Sequence, residues 1–303
     1  MIFSGILFCL LASCLFALLC YYTVFLEPLD GFAVFGWRVF GTVILIAALM
    51  TVLRQWRKLG QSLVVFVKRP AQFLVLLVCV GLMSVQVGLF GWAPLNGESQ
   101  ALALGYFLMP LMMVICGRLL FGETLTRWQR TAVILAAIGV GAQIILHGGL
   151  SWVSALVMLG YPPYFIIKRH LGLNALHSML VEHLCMLPLA IALVVAQGGN
   201  PEFFVQHGVA SWGILIGLGL LGGSALLCFL AGSQRLPLSL FGMLGYVEPL
   251  LLFVVALILP GGHFTAIDLA TYLPIWVAVC CLLRQGWLAF GAQQASLQEA
   301  SKS

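Results

Sequence analysis

Two charged side chains in this sequence sit where a charge is expensive. Glu248 lies inside LFGMLGYVEPLLLF, and Arg38 lies inside FAVFGWRVFGTV. Glu248 falls about ten residues into its apolar run, roughly 15 Å along a helix rising 1.5 Å per residue. An ionised carboxylate at that depth must find a partner or take up a proton. Pro249 follows it and removes a backbone donor, which frees a carbonyl beside the acid. Such a group suits an ammonium or a coupled proton. Arg38 offers the complementary chemistry, a planar fork of donors that grips a carboxylate at two points. Its protein candidates are Glu248 and Glu182, and the alternatives are a substrate carboxylate or snorkelling to the outer face.

Glu182 and His183 lie five or six residues into another apolar run. From there Glu182 could accept Arg38 in one state and release it in another, while His183, on a different face, reads equally well as a packing histidine. Gln86, Tyr246, Trp37, Trp92, Tyr106 and Tyr164 add polar or aromatic groups inside apolar runs, suited to lining a cavity as much as to core packing. His177, Glu182, His183 and Cys185 do not form HExxH, so no metal is expected. No catalytic residues are assigned, because the polar groups converge on mid-depth rather than clustering at an interface. The chain lacks GxxxxGK[ST] and any GxGxxG following a strand, so neither nucleotide nor other cofactor is expected and ATP is not the direct drive.

The elements that position these residues follow from composition. Of 303 residues, 62% are hydrophobic and 8% charged, against about 25% charged in an ordinary soluble domain. The chain reads as an all-α integral membrane protein whose solvent is the lipid bilayer. Ten runs suit spanning helices: 3–26, 31–53, 71–93, 98–121, 128–147, 151–168, 177–197, 209–232, 238–259 and 266–289. Threaded with both termini in the cytoplasm, they place 13 of the 14 Lys and Arg on the cytoplasmic side and leave Arg38 as the exception. The net charge of +5 is therefore read as loop anchoring, not as a nucleic-acid surface. The nine cysteines all fall in apolar runs and read as small buried hydrophobes. GILIGLGLLGG at 213–223 spaces small residues for close helix packing.

MPLMMVICGRLLFGETLT at 109–126 aligns without a gap to EPLLLFVVALILPGGHFT at 248–265, pairing Pro110 with Pro249. Repeats of five helices must run in opposite orientations, the inverted plan of many secondary transporters. The expected units are 1–148 and 149–290, with a cytoplasmic tail at 291–303. Pro110, Pro249, Pro162 and Pro163 are expected to break their helices.

Several stretches resemble the RarD-like branch of the drug/metabolite transporter superfamily, the EamA fold: LGYFLMPL at 104–111, FGETLTRWQ at 121–129 and RLPLSLFGMLGYVEPLLLF at 235–253. Trp37-Arg38, Gln86, Trp92-Ala93 and Val181-Glu182 add to the likeness. The resemblance implies ten helices in two inverted repeats, multi-pass insertion in a bacterial-type inner membrane, and export of a small molecule. With Arg38 and Glu248 it points to a carboxylate-bearing or zwitterionic metabolite, amino-acid-like or an opine-type metallophore, moved by alternating access with proton coupling as one option. Efflux of drugs of the chloramphenicol type, a membrane-embedded enzyme and a structural subunit are the alternatives. Monomer and dimer are both open.

Overall fold

A computed structural model describes residues 2–68, 70–95, 98–146, 150–172 and 174–248, with isolated positions between 251 and 284. Among the described residues the regular structure is helical. The helices are α1 (Ile2–Tyr22), α2 (Gly31–Val52), α3 (Trp56–Lys68), α4 (Pro70–Leu95), α5 (Ser99–Phe121), α6 (Arg127–Leu146), α7 (Trp152–Leu171), α8 (Ala175–Ala196), α9 (Pro201–His207), α10 (Ala210–Ser233) and α11 (Leu238–Leu244). Six of them, α1, α2, α4, α5, α8 and α10, are long and apolar enough to cross a membrane. Lipid offers no partner to a free N–H or C=O, so each segment satisfies its own backbone as a helix. Large apolar side chains such as Ile44, Ile138 and Ile216 stand exposed in mid-helix, as expected where the surrounding medium is hydrocarbon.

Local chemistry sets the helix starts. The Asp30 carboxylate accepts from Ala33 N at 2.8 Å, and Asn174 Oδ1 accepts from Leu176 N at 3.0 Å. Thr126 and Gln129 close a reciprocal capping box at the head of α6, with bonds of 2.8 and 3.3 Å. The principal helix contacts are α1 with α10, α2 with α4, α8 and α10, α4 with α7 and α8, and α5 with α7 and α11. Where α2 crosses α10, Gly41 meets Gly219 so closely that a Cβ on Gly41 would lie 2.6 Å from the Gly219 Cα. A larger residue at either position would push the two backbones apart.

The two ends of the bundle differ in charge. Arg54, Arg57, Lys58, Arg118, Arg127, Arg130, Arg169 and Arg235 gather at the end where α2, α5, α7 and α10 finish, here called the basic end. The opposite, acidic end carries Glu27, Asp30, Glu98 and Glu202.

Several expectations are corrected. The first helix ends at Tyr22, four residues early, and a 3₁₀ turn at Thr23–Leu26 follows. The expected 54–70 loop contains α3, whose Leu59 is buried while Arg57, Lys58 and Gln61 are exposed. The 198–208 loop contains α9. Pro110, Pro162 and Pro163 lie inside unbroken helices. A proline removes one hydrogen bond and crowds the carbonyl four residues back, yet the packing of α5 against α7 and α11 holds the turns on either side. The break comes instead at Gly245–Tyr246, after α11. Pro249 has no N–H for the carbonyl of residue 245, which accounts for an interruption at that point. Pro249 itself and all but isolated positions of the tenth helix at 266–289 lie outside the described residues. Cys14, Cys185 and Cys280 are exposed rather than buried, because an apolar medium gives a thiol no reason to hide.

Candidate functional site

A central cavity is lined by Arg38 of α2, Gln86 of α4, Tyr106 of α5, Tyr161 of α7 and Glu248 beyond α11. Its other walls are apolar, with Phe16, Phe90, Phe165 and Phe229 contributing rings and Met83 and Met109 thioethers. The acid and the base singled out in the sequence thus share one chamber. Among the described residues no carboxylate lies within 4.0 Å of the Arg38 guanidinium, whose carbon instead sits 6.0 Å from the Phe90 ring centre. That separation suits a weak cation–π contact and leaves donors for another partner. The Tyr106 and Tyr161 hydroxyls lie 3.3 Å apart. A second, smaller space shares Arg38, Val87 and Phe90 and reaches Gly31, where α2 begins at the acidic end.

Toward the basic end the cavity floor is aromatic. The Phe165 ring centre lies 5.5 Å from Phe229 and 4.8 Å from Phe241, and Phe229 lies 4.7 Å from Phe241. Beneath this layer is a buried ion pair. Lys168 Nζ donates to Glu182 Oε1 at 2.7 Å and to Ser178 Oγ at 2.7 Å, and Tyr164 O–H donates to Glu182 Oε2 at 2.9 Å. The expected Arg38–Glu182 gate is therefore not formed in this structure. Lys168, one helical turn beyond Phe165 on α7, reaches Glu182 across the α7–α8 hairpin, while Arg38 opens on the chamber.

The other sequence-derived positions are dispersed. Trp37 turns to the acidic end, where its indole N–H donates to Asn200 Oδ1 at 3.2 Å and its ring meets Phe204 and Trp212. Trp92 packs on Trp152 at 5.4 Å. Tyr246 is 2% exposed and packed among Leu104, Phe107 and Met243. Tyr164 belongs to the ion pair. His183 Nδ1 lies 2.9 Å from the Met179 carbonyl one turn back, a packing arrangement.

The comparisons with known proteins point one way. The chain is 41% identical over 284 residues to the Pseudomonas aeruginosa chloramphenicol-sensitive protein RarD, covering 94% of each. It is 38% identical to an uncharacterized transporter of Haemophilus influenzae, covering 85% of this chain and 86% of that one. It is 30% identical to protein RarD of Escherichia coli, covering 80% and 81%. The chain belongs to the RarD family of transporters. No family model matches it. A crystal structure with 16% identity superposes with a TM-score of 0.67 over 94% of this chain and 98% of the other, a likeness of fold.

In this RarD-family transporter a polar contact, here called the latch, also ties the α5–α6 turn to the head of α11 at the basic end. Glu123, in the turn between α5 and α6, accepts from Leu238 N and Ser239 N, both at 2.7 Å. One carboxylate so occupies two free donors at the head of α11, where an anion is favoured. Arg169 lies 3.8 Å from Glu123 and donates to the carbonyls of Ser233 and Leu236. The signal was present in FGETLT, where an acid follows the end of an apolar run, but its target lies 115 residues away. Tyr161 likewise gives little signal in the sequence, because it directly precedes the pair Pro162-Pro163, which suggests a helix break.

Proposed function

We propose that this chain is a ten-helix secondary transporter of two inverted five-helix repeats, 1–148 and 149–290, followed by a tail at 291–303. In this reading it exports a small carboxylate-bearing or zwitterionic metabolite across the inner membrane by alternating access. The observation that carries the reading is the shared chamber. Arg38 and Glu248 face one cavity, and no described acid lies within 4.0 Å of the arginine. A substrate carboxylate completes Arg38, and an ammonium or a proton completes Glu248. Amino-acid-like compounds and opine-type aminocarboxylates meet both demands.

The helix pairings support the repeat. Exchanging α1, α2, α4 and α5 for α7, α8, α10 and α11 carries α1–α10 onto α7–α4, α2–α10 onto α8–α4, and α5–α7 onto α11–α1, all of them contacts that occur. The charge difference between the two ends supports a cytoplasmic basic end. The chamber then faces outward, and the aromatic floor, the Lys168–Glu182 pair and the Glu123 latch bar the cytoplasm. Export requires the latch to open. α11 carries the latch at its head and leads to Glu248 past its other end, so occupancy of Glu248 and release of Glu123 act on a single short element. Two states, differing in which side reaches Arg38, are biased by the ligand through its unequal contacts with each. The ring-rich walls, together with the name of the Pseudomonas relative, favour as a second reading the efflux of aromatic drugs such as chloramphenicol.

The test is uptake of labelled amino acids and aminocarboxylates into inside-out vesicles, with and without a pH gradient. Arg38→Ala and Glu248→Gln, confirmed as folded, are expected to lose at least about tenfold in rate, a barrier change of ~1.4 kcal/mol. Parental rates in both variants would remove the site, and indifference to the gradient would remove proton coupling.

A further inference from the structure

Gln86 carries an unmet acceptor and lines the cavity that holds the charged pair. It lines the central cavity with Arg38 and Glu248, yet the residue is only 2% exposed. Its amide nitrogen donates to the Leu156 carbonyl at 2.9 Å. A carbonyl can only accept, so that bond fixes which end of the amide faces α7. Gly160 makes the arrangement possible, because a Cβ there would lie 2.0 Å from the Gln86 Nε2. The opposite end, Oε1, is buried and has no hydrogen-bond partner among the described residues. A buried acceptor left unmet is costly, and native structures keep few of them without a purpose. The adjoining tyrosine hydroxyls are engaged with each other.

We propose that Gln86 is the specificity-determining residue of the cavity. Its Oε1 accepts an N–H from the substrate's amino group, and so selects aminocarboxylates over the same carboxylates without nitrogen. This rests on the reading of the chamber as a substrate site. Arg38 holds the carboxylate, Glu248 supplies the charge that attracts the ammonium, and Gln86 supplies a directional acceptor clamped in position by Leu156 and Gly160. A site built to bond a particular group discriminates strongly against analogues that lack it, because its own buried group is then left unpaired.

The experiment uses the purified full-length protein in proteoliposomes. Inhibition of transport is measured with matched probes: leucine against 4-methylpentanoate, phenylalanine against 3-phenylpropanoate, and glutamate against glutarate. The parent is expected to prefer the amino member of at least one pair by about 10- to 100-fold, the range for a hydrogen bond to a charged group. Gln86→Leu is expected to reduce that preference to within a few-fold by weakening only the amino member. Gly160→Ala, which displaces the same amide without altering it, is expected to do likewise. If both members weaken equally in either variant, or the preference survives both, the role assigned to Gln86 is wrong. If no aminocarboxylate competes in the parent, or Arg38→Ala leaves competition intact, the chamber reading fails as well.

Discussion

Two ionic sites lie inside this bundle, and they are built to opposite ends. Arg38 is the eighth residue of α2, and Glu182 is the eighth residue of α8, its partner helix. Glu182 is 1% exposed and fully engaged by Lys168 and Tyr164, and Lys168 is itself also bonded to Ser178. Arg38 lines a cavity, with Glu248 across the same space and only a ring face nearby. A buried charge that is fully satisfied contributes to structure and leaves nothing for a ligand. A charge that faces a cavity with donors to spare is available for binding. Being charged and deep does not separate the two. What separates them is whether a partner from a neighbouring helix arrives.

Four substitutions sharpen this contrast. Glu182→Ala strands the Lys168 ammonium and is expected to lower stability by about 3–5 kcal/mol, read as a large fall in the unfolding midpoint in detergent. Lys168→Met with Glu182→Leu is expected to recover most of that loss, since a well-packed apolar pair often replaces a buried ion pair at no cost. At the other site, Arg38→Met is expected to abolish transport while changing stability by less than about 1 kcal/mol, because no ion pair within 4.0 Å is broken. Equal damage to stability at both sites would erase the distinction.

Smaller effects are expected further out. Glu123→Ala removes the carboxylate that meets two donors of α11, at a cost of about 1 kcal/mol. It is also expected to raise labelling of Cys228 of α10, half-buried here, by a thiol reagent applied from the basic end. Unchanged labelling would mean that Glu123 caps a helix and does not latch an entrance. Tyr106→Phe breaks only the hydroxyl pair, a loss of ~1 kcal/mol. Its expected signature is a severalfold weaker apparent affinity with an unaltered maximal rate.

Much of the architecture was legible because lipid enforces a simple rule. A long apolar run must be a helix, and six such helices follow directly from run length. Arg38 and Glu248 were legible for the same reason, as costs that composition could not absorb. Lys168 was not, because at a helix end beside Arg169 and His170 it resembles a loop anchor. Its burial depends on α8 folding back so that Ser178 and Glu182 reach it. The prolines misled in the same way. Pro110 and Pro163 weaken single turns, but whether a helix breaks there is decided by neighbours that sequence spacing does not reveal. Trp37 and Trp92 matched the pattern of cavity liners, yet rotation about their helix axes turns them to the acidic end and to Trp152.

Accessibility beside Arg38 tests the central claim most directly. In a background cleared of native cysteines, Val87→Cys, at a position that lines both spaces next to Arg38 and leaves the arginine in place, is treated with a small, charged, membrane-impermeant thiol reagent applied from either face. Rapid modification from the acidic side, slowed by a competing aminocarboxylate, is the expected result. A thiol there that resists the reagent from both faces, or reacts at the same rate whatever competitor is present, would contradict a ligand-accessible chamber around Arg38.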